Sequence, residues 1–329
     1  MDGMAGFPAH EHGDRVLADV HARAHAAGRA HLHARGDDDP DAPPRLGIIG
    51  AGHVGLVLGR AFTAAGWPVA AVASRDPERR ARFQAAVPGA RAYPEATPVL
   101  DDVEIAFLTV PDDAIATVAA GLRLYAGQGL VHTSGLVPAA ALAPALSAGT
   151  LAASFHPLVT FANEEEALAA LPGATVALEG DEPLVSMLAE LATAMGAQPV
   201  RVPAGAKAAY HAAAVMAAGA EIALLDAIVS LGRGAGLDEA ASLAVYLPLV
   251  RQALAGAEAL GVRAALTGPI VRGDVGTVRA HLEALARLAP DTLDLYRATA
   301  EREVAMALAD GRLTAEQAAT LRAVLAARG

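Results

Sequence analysis

The feature that most constrains the fold is a glycine-rich stretch near the start of the chain, residues 46–55, with the sequence LGIIGAGHVG. Its apolar first part is long enough for a buried parallel strand, and a helical pattern follows it. Gly50 suits a tight turn, Gly52 allows a ligand to approach the backbone, and Gly55 lets the helix pack closely on the strand. Free N–H groups at the start of such a helix attract phosphate. The stretch therefore predicts a dinucleotide-binding turn; the alternative is a turn of the same shape without a ligand.

Strand and helix patterns alternate up to about residue 203, and the pattern then changes. The later sequence is rich in Ala and Leu and has helical periodicity without a convincing strand. This order predicts an α/β fold, in which a doubly wound, Rossmann-type parallel sheet over 45–203 is followed by an all-helical domain over 204–329. We expect the active site in the cleft between the two domains. The predicted strands are 46–49, 69–73, 103–110, 130–132, 150–154, 174–179 and 198–202.

Residues 1–44 form a separate segment that is rich in histidine and ends in the linker-like sequence DDDPDAPP. We predict a disordered or partly helical tail. His21 and His25 are four residues apart, so a helix would place both on one face beside a metal ion. Nothing else in the segment supplies a complete set of ligands, and we therefore predict no metal site.

Composition limits the class of protein. The formal net charge of −11 argues against a nucleic-acid-binding surface. With no cysteine there is neither a disulfide framework nor a cysteine-based metal site, and a reducing cytoplasm is the simplest setting. No apolar run reaches the roughly 18 residues that span a bilayer, and the N-terminus lacks the pattern of a secretion signal. We therefore expect a cytoplasmic protein without membrane or nucleic-acid partners.

The end of the second predicted strand bears on the choice of cofactor. An acidic residue at this point usually binds the ribose 2′-hydroxyl of NAD, whereas arginine suits the 2′-phosphate of NADP. Ser74 and Arg75 therefore favour NADP, and Asp76 is the competing residue. The predicted cofactor contacts are Gly50, Gly52, His53, Val54, Gly55, Ser74, Arg75, Thr109, Val110 and Pro111.

Polar side chains also follow the later predicted strands. Ser134 and Gly135 come after strand 130–132, and His156 comes after strand 150–154. Because the carboxyl ends of parallel strands lie at one edge of a sheet, these residues are candidates for substrate contact. His132 is expected to be a packed core histidine, and Asp112 and Asp113 are expected to cap a helix over 114–122.

Five motifs lie along the chain: GAGHVG at 50–55, TSG at 133–135, SFHP at 154–157, KAAYHAA at 207–213 and TGPIVRGD at 267–274. Taken together, they resemble those of the Rossmann-like proteins with a DUF2520 domain. That family is similar to ketopantoate reductases and, more distantly, to β-hydroxyacid and prephenate dehydrogenases. The resemblance covers about residues 45–310.

The resemblance implies roles for individual residues. Lys207, the single lysine among the 25 Lys and Arg residues, matches the lysine that gives a proton to the carbonyl oxygen in the related reductases. His211 stands one helical turn later, where those enzymes have asparagine. His156 matches the substrate-side histidine of prephenate dehydrogenases. Asp274 matches a late acidic residue of ketopantoate reductases. Arg272 is a candidate for binding a substrate carboxylate, or else it forms an internal pair with Asp274.

These expectations describe an NADPH-dependent reductase of a small 2-oxo acid, with ketopantoate the first candidate, that forms a homodimer through its apolar helices. One alternative is an oxidoreductase of an imine or an amino-acid-derived substrate on the same scaffold. Another is a regulator that binds NADP(H) without turnover. A regulator would need the glycine-rich turn but would have no use for Lys207, His156 and His211 in one cleft.

Overall fold

A computed structural model describes residues 42–147 and 149–327 of the chain. Almost all of the predicted histidine-rich tail, including His21 and His25, lies outside the described residues. The chain divides into two compact units, the first ending at Ala214 and the second beginning at Val215. The two units are described separately.

The first unit contains an eight-stranded sheet with the strand order β3-β2-β1-β4-β5-β6-β7-β8. Its central strand, β1, pairs in parallel with β2 on one side and with β4 on the other, as a doubly wound sheet requires. The strands are β1 (Leu46–Ile49), β2 (Val69–Ala73), β3 (Arg91–Tyr93), β4 (Ile105–Leu108), β5 (Gly129–His132), β6 (Leu151–Pro157), β7 (Thr175–Gly180) and β8 (Gln198–Arg201).

Helices cover both faces of this sheet, and an apolar core lies on each face. All residues of β1, β4 and β5 are buried, which explains why these strands are continuous apolar runs rather than alternating ones. One core holds the contacting aromatic rings of Phe62, Phe107 and Phe155. The helices of this unit are α1 (His53–Ala64), α2 (Pro77–Ala86), α3 (Ile115–Gly121), α4 (Glu164–Ala170), α5 (Leu184–Ala194) and α6 (Lys207–Val215), whose last residue opens the second unit.

The α/β fold with a Rossmann-type sheet is confirmed, with three differences in detail. Strand β7 runs antiparallel to β6, whereas the sequence predicted a parallel sheet throughout. The three-residue strand β3 was not predicted, because it lies at the edge of the sheet and has no fully buried residue. A third difference concerns Asp112 and Asp113: neither side chain caps a helix, and the two residues lie in a short 3₁₀ turn before α3.

The second unit is helical, as predicted. Its core includes Ile270, Val278, Val304 and Leu321. Ile270 lies in the loop before the helix Val275–Leu288, and the other three residues lie in the last three α-helices of the chain. The helices are α7 (Glu221–Gly234), α8 (Glu239–Leu260), α9 (Val262–Ala265), α10 (Val275–Leu288), α11 (Leu293–Ala309) and α12 (Ala315–Ala326); a π-helical turn over Met216–Ala220 precedes α7.

Two helical stretches in the described residues, Lys207–Gly234 and Glu239–Leu260, are long and apolar enough to cross a membrane by length and composition alone. Neither is an uninterrupted apolar run, because charged residues such as Glu221, Asp226 and Arg251 lie within them. Few residues in the most apolar part of either stretch are buried. Most of this apolar surface is therefore not covered by the described residues.

Candidate active site

The glycine-rich turn connects β1 to α1 as the sequence predicts. Gly50 has a φ of +118°, a conformation that favours glycine. A side chain at Gly55 would collide with the carbonyl oxygen of Gly50 and with Thr109, so only glycine lets α1 pack this closely. A side chain at Gly52, by contrast, would meet nothing within 4 Å. The turn is thus closed on its protein side and open where a ligand would approach.

The N-terminus of α1 is suited to a phosphate group. Gly52 is the N-cap, no side chain caps the helix, and its first turn has no acidic residue. The first amide groups and the positive end of the helix dipole are therefore available to an anion. The hydroxyl of Thr109, at the end of β4, donates to the carbonyl oxygen of Gly50 at 2.6 Å and fixes the turn against the next strand.

At the end of β2, the carboxylate of Asp76, which could otherwise bind the ribose 2′-hydroxyl of NAD, already has hydrogen-bond partners in the protein. The carboxylate of Asp76 caps α2 by accepting from the backbone N–H groups of Glu78 and Arg79 at 2.9 and 3.2 Å. The exposed Arg75 has no hydrogen bond or ion pair to any other described residue. Arg79 also reaches this end of the site, a residue that the sequence did not single out. Arg75 and Arg79 thus both line this end of the cavity, and the guanidinium of Arg79 also pairs with the Asp76 carboxylate at 3.4 Å. Arginine at this point suits a 2′-phosphate.

A cavity of about 1040 Å³ follows the carboxyl edge of the sheet from β2 to β6, at the upper end of the range for small-molecule and cofactor sites. Most of the predicted contacts in the first unit line it; Gly55 and Lys207 do not. The predicted residues along its wall are Gly50, Gly52, His53, Val54, Ser74, Arg75, Thr109, Val110, Pro111, Ser134, Gly135, His156 and His211.

At the far end of the cavity, three ring side chains meet. Nδ1 of His156 lies 2.9 Å from the hydroxyl of Tyr210, and the two rings are nearly perpendicular, with centroids 5.7 Å apart. The ring of His211 is 5.9 Å from that of His156. Both imidazoles lie against Gly135, where a side chain would collide with them. Gly135 is thus required because two histidine rings occupy the space of its side chain.

Lys207 lies behind this wall, with 5% of its surface exposed. Its Nζ donates to the backbone oxygen of Ser134 at 2.9 Å and to Oγ of Ser154 at 2.8 Å. The carboxylate of Glu179 lies 3.8 Å away. Ser154 and Glu179 are direct neighbours across β6 and β7, so the lysine joins the TSG loop to two strands. Its role as a proton donor stays a prediction.

Ser134 is also engaged within the protein. Its hydroxyl donates to Asp112 at 2.7 Å and accepts from the N–H groups of Leu136 and Val137 at 3.1 and 2.9 Å. These bonds hold the TSG loop against the segment after β4 and account for Asp112, whose predicted capping role was wrong. Contact between Ser134 and a substrate stays a prediction.

The buried groups of the site have shifted pKa values. Burial, with the nearby His211 and Lys207 charges, lowers the pKa of His156 to about 4, so this ring is neutral near pH 7. Burial raises the pKa of Tyr210 to about 12 and lowers the pKa of Lys207 to about 8. His132 is fully buried, as predicted, and burial lowers its pKa to about 4.

Besides Arg79, four residues that matter in this geometry were not identified as site residues from the sequence: Tyr210, Ser154, Glu179 and Asp112. Tyr210 follows Lys207 by three positions, a spacing that places both on one side of a helix and that the sequence does contain. Ser154 precedes His156 by two positions and therefore lies on the same face of its strand. Glu179 had no such signal, because its position depends on the antiparallel pairing of β7.

Arg272 and Asp274 lie in the second unit. Asp274 caps α10, accepting from the N–H and the hydroxyl of Thr277 at 3.0 and 2.7 Å. These hydrogen bonds lower its pKa, and the charge of Arg272 contributes in the same direction. In the described residues, no group of three or more acidic or histidine side chains has the arrangement of a metal site. Catalytic or substrate-binding roles for Arg272 and Asp274 stay predictions.

Comparison with family models identifies two domains. Residues 35–157 match the model of the Rossmann-like domain. Residues 174–303 match the model of DUF2520, a domain of unknown function. No curated protein matches the sequence at a significant level.

Solved structures share the fold over most of the chain. Protein TM1727 from Thermotoga maritima is 28% identical, with a TM-score of 0.64, covering 81% of this chain and 99% of that one. A protein from Bacteroides fragilis, assigned as an NADP oxidoreductase, is 20% identical, with a TM-score of 0.65 and coverages of 80% and 98%. A reductive aminase from Aspergillus terreus, solved with NADPH and ethyl levulinate, is 17% identical, with a TM-score of 0.62 and coverages of 85% and 98%.

Proposed function

This chain belongs to the Rossmann-like proteins that carry a DUF2520 domain, and from that premise we propose that it is an NADPH-dependent reductase of a small molecule. The observation that carries the proposal is the single cavity wall that joins the open glycine-rich turn to His156 and His211. A regulator that only bound the dinucleotide would need the first part of this wall and not the second.

NADPH is the proposed cofactor, and when bound it supplies a hydride. The open space beside Gly52 and the uncapped N-terminus of α1 suit its pyrophosphate. Arg75 and Arg79 suit its 2′-phosphate. Asp76 is held by its helix-capping bonds and is not free to select a 2′-hydroxyl. The Bacteroides fragilis protein and the reductive aminase, each named with NADP or NADPH, support the same cofactor.

The bond that is reduced is C=O or C=N. Hydride addition leaves an electron pair on oxygen or nitrogen, and that atom needs a proton donor in a site that excludes water. Two imidazoles at the inner end of the cavity meet this requirement. The 2-oxo acid proposal, with ketopantoate as first candidate, rests on the family resemblance.

An imine is the second candidate substrate, and two observations favour it. The reductive aminase shares the fold and acts on C=N chemistry by its name. In the first unit, the charged residue at the inner end of the cavity wall is Asp112. Its carboxylate suits an imine that has taken a proton from the donor better than it suits a substrate carboxylate.

The experiment that tests the proposal follows NADPH oxidation by the full chain against a matched panel of 2-oxo acids and cyclic imines. We expect consumption of NADPH with one of the two classes and a much slower reaction with NADH. A chain that binds NADPH and oxidises it with no member of the panel would support the regulator instead.

We also propose a cytoplasmic homodimer. The second unit exposes large apolar side chains, among them Met216 at 70%, Leu249 at 63% and Val262 at 70% exposure. Contiguous apolar surface of this kind marks an interaction site, and a second copy would cover it. Light scattering after size-exclusion chromatography without detergent should give twice the mass of one chain. A Leu249→Glu variant should run as a monomer, whereas a chain that stays in solution only with detergent would favour a membrane-bound protein.

A further inference from the structure

The inner end of the cavity presents one ring nitrogen of His156 to a substrate. Nδ1 is occupied by the hydroxyl of Tyr210 at 2.9 Å. Nε2 has no hydrogen-bond partner among the described residues, and the ring lines the cavity. The packing of this ring against Gly135 and its perpendicular contact with Tyr210 fix its orientation. Nε2 is therefore the ring nitrogen that can form a hydrogen bond with a bound molecule and transfer a proton to it.

Lys207 has the opposite arrangement. Its ammonium group is directed to the backbone of the TSG loop, to Ser154 and to Glu179, and the residue does not belong to the cavity wall among the described residues. A group that protonates a substrate must come within hydrogen-bonding distance of the reacting atom. The position of Lys207 therefore suits a residue that connects the TSG loop to β6 and β7, a structural role that we call a brace. It does not suit a residue that gives a proton to a substrate.

The Tyr210–His156 pair also decides where the imidazole proton lies. A neutral imidazole has one N–H and one acceptor nitrogen, and the hydrogen bond at one nitrogen selects which is which. Burial keeps the Tyr210 hydroxyl protonated, with its pKa raised to about 12. When this hydroxyl donates to its partner in the described residues, His156 Nδ1 at 2.9 Å, Nδ1 is the acceptor. The proton of the ring must then be on Nε2.

We propose that Tyr210 holds His156 as the Nε2–H tautomer, and that this Nε2–H, rather than the ammonium of Lys207, protonates the substrate. This inference rests on the proposed function. Lys207 is a positioning residue, because its hydrogen bonds to Ser134 and Ser154 place the TSG loop and, through Gly135, the imidazole ring.

The step balances as follows. The substrate carbon accepts a hydride, the double-bond electron pair moves to oxygen or nitrogen, and that atom takes the proton from His156 Nε2. The substrate is reduced, and the nicotinamide is oxidised. The hydroxyl proton of Tyr210 moves to Nδ1, so the ring stays neutral. After the product leaves, Nε2 takes a proton from water, which leaves hydroxide in the solvent, and Nδ1 returns its proton to the tyrosine.

The first test needs no substrate. Nitrogen-15 NMR of the histidine rings in the full chain, assigned with a His156→Gln variant, reports which nitrogen of His156 carries the proton. We expect Nε2–H in the unmodified protein and a marked increase of the Nδ1–H form in Tyr210→Phe. A protein with the proton on Nδ1, or an unchanged tautomer in the variant, would overturn the inference.

The second unit supplies a matched control. Tyr296 contacts Nδ1 of His281 at the same distance, 2.9 Å, with rings 6.0 Å apart and nearly perpendicular. Tyr296→Phe removes the same kind of hydrogen bond and should leave the His156 resonances unchanged. A shift of those resonances in the control would mean that the Tyr210 effect is not local.

The kinetic test uses the substrate identified by the panel. Tyr210→Phe should lower kcat roughly tenfold, the value of about one hydrogen bond, while KM and NADPH affinity change little. His156→Gln should lower kcat roughly a hundredfold or more, as the loss of a general acid does. Near-normal turnover of His156→Gln would remove this histidine as the donor. If NADPH is oxidised with no member of the panel, the proposed function is contradicted. The NMR measurement of the His156 tautomer needs no substrate and would still test the inference about Tyr210.

Discussion

The role of Lys207 yields the most discriminating prediction, because a brace and a proton donor respond differently to a pair of substitutions. Lys207→Met removes a buried cation and leaves the carboxylate of Glu179, whose side chain is 12% exposed, without it. Breaking a buried ion pair from one side costs about 3–5 kcal/mol. Because the two charges are 3.8 Å apart, we expect the lower value, about 3 kcal/mol. For a unit of this size that is a decrease in Tm of roughly 6–12 °C.

The second substitution, Glu179→Gln, separates the two roles. In the double variant Lys207→Met/Glu179→Gln no unpaired charge remains, and the new amide oxygen can still accept from the N–H of Ala139, as the carboxylate does at 3.1 Å. Most of the lost free energy of unfolding should therefore return.

Thermal unfolding and turnover are measured on the same four proteins, namely the unmodified chain, both single variants and the double variant. If Lys207 is a brace, the double variant should be stable and retain more turnover than His156→Gln. A double variant that is as stable as the unmodified protein but has no measurable turnover would refute this reasoning and return Lys207 to the role of proton donor. A Lys207→Met variant with unchanged Tm would refute the stability argument itself.

Three further predictions test other parts of the site. Gly55→Ala should unfold at a clearly lower temperature, because the new methyl group collides with the backbone. Gly52→Ala should keep its Tm but bind NADPH more weakly in a calorimetric titration, because its methyl group enters the space left for the ligand. Equal losses of Tm in the two variants would contradict the conclusion that the turn is open at Gly52. Arg75→Asp should erase or reverse a preference for NADPH over NADH that we expect to be roughly tenfold to a hundredfold, and an unmodified protein with equal affinities would contradict the choice of cofactor. His132 and His156 have pKa values lowered from 6.5 to about 4, so the unfolded chain binds these protons first and the free energy of unfolding should fall as pH decreases from about 6.5 to 4; denaturant titrations that show no such decrease would contradict the burial of these rings.

The sequence predicts the parts of the fold that depend on local patterns. The turn at Gly50 to Gly55 carries its own geometric requirements, so its position and conformation follow from the glycine spacing. The buried strands around it are continuous apolar runs, which single them out without further context. Strand β3 lacks this signal, because an edge strand needs neither apolar continuity nor full burial.

The site itself is only partly predictable. Ser134 follows β5, and His156 lies at the carboxyl end of β6. These strand ends must meet at one edge of the sheet, and the structure brings both residues to the same cavity. The partners of Lys207 could not be predicted, because they depend on the register between β6 and β7, which aligns Ser154 with Glu179. The sequence predicted that these two strands run parallel, whereas they are antiparallel. Register and direction are set by packing over the whole sheet, which no local pattern contains.

The central claim is that this chain transfers a hydride from NADPH to a small molecule. The direct measurement incubates the full chain and the substrate panel with NADPH in which both hydrogens at C4 of the nicotinamide are deuterium, and follows the products by mass spectrometry. The account predicts one deuterium on the carbon of the former C=O or C=N bond, and far less labelled product with His156→Gln. Tight binding of NADPH with no deuterium in any product of the panel would contradict it.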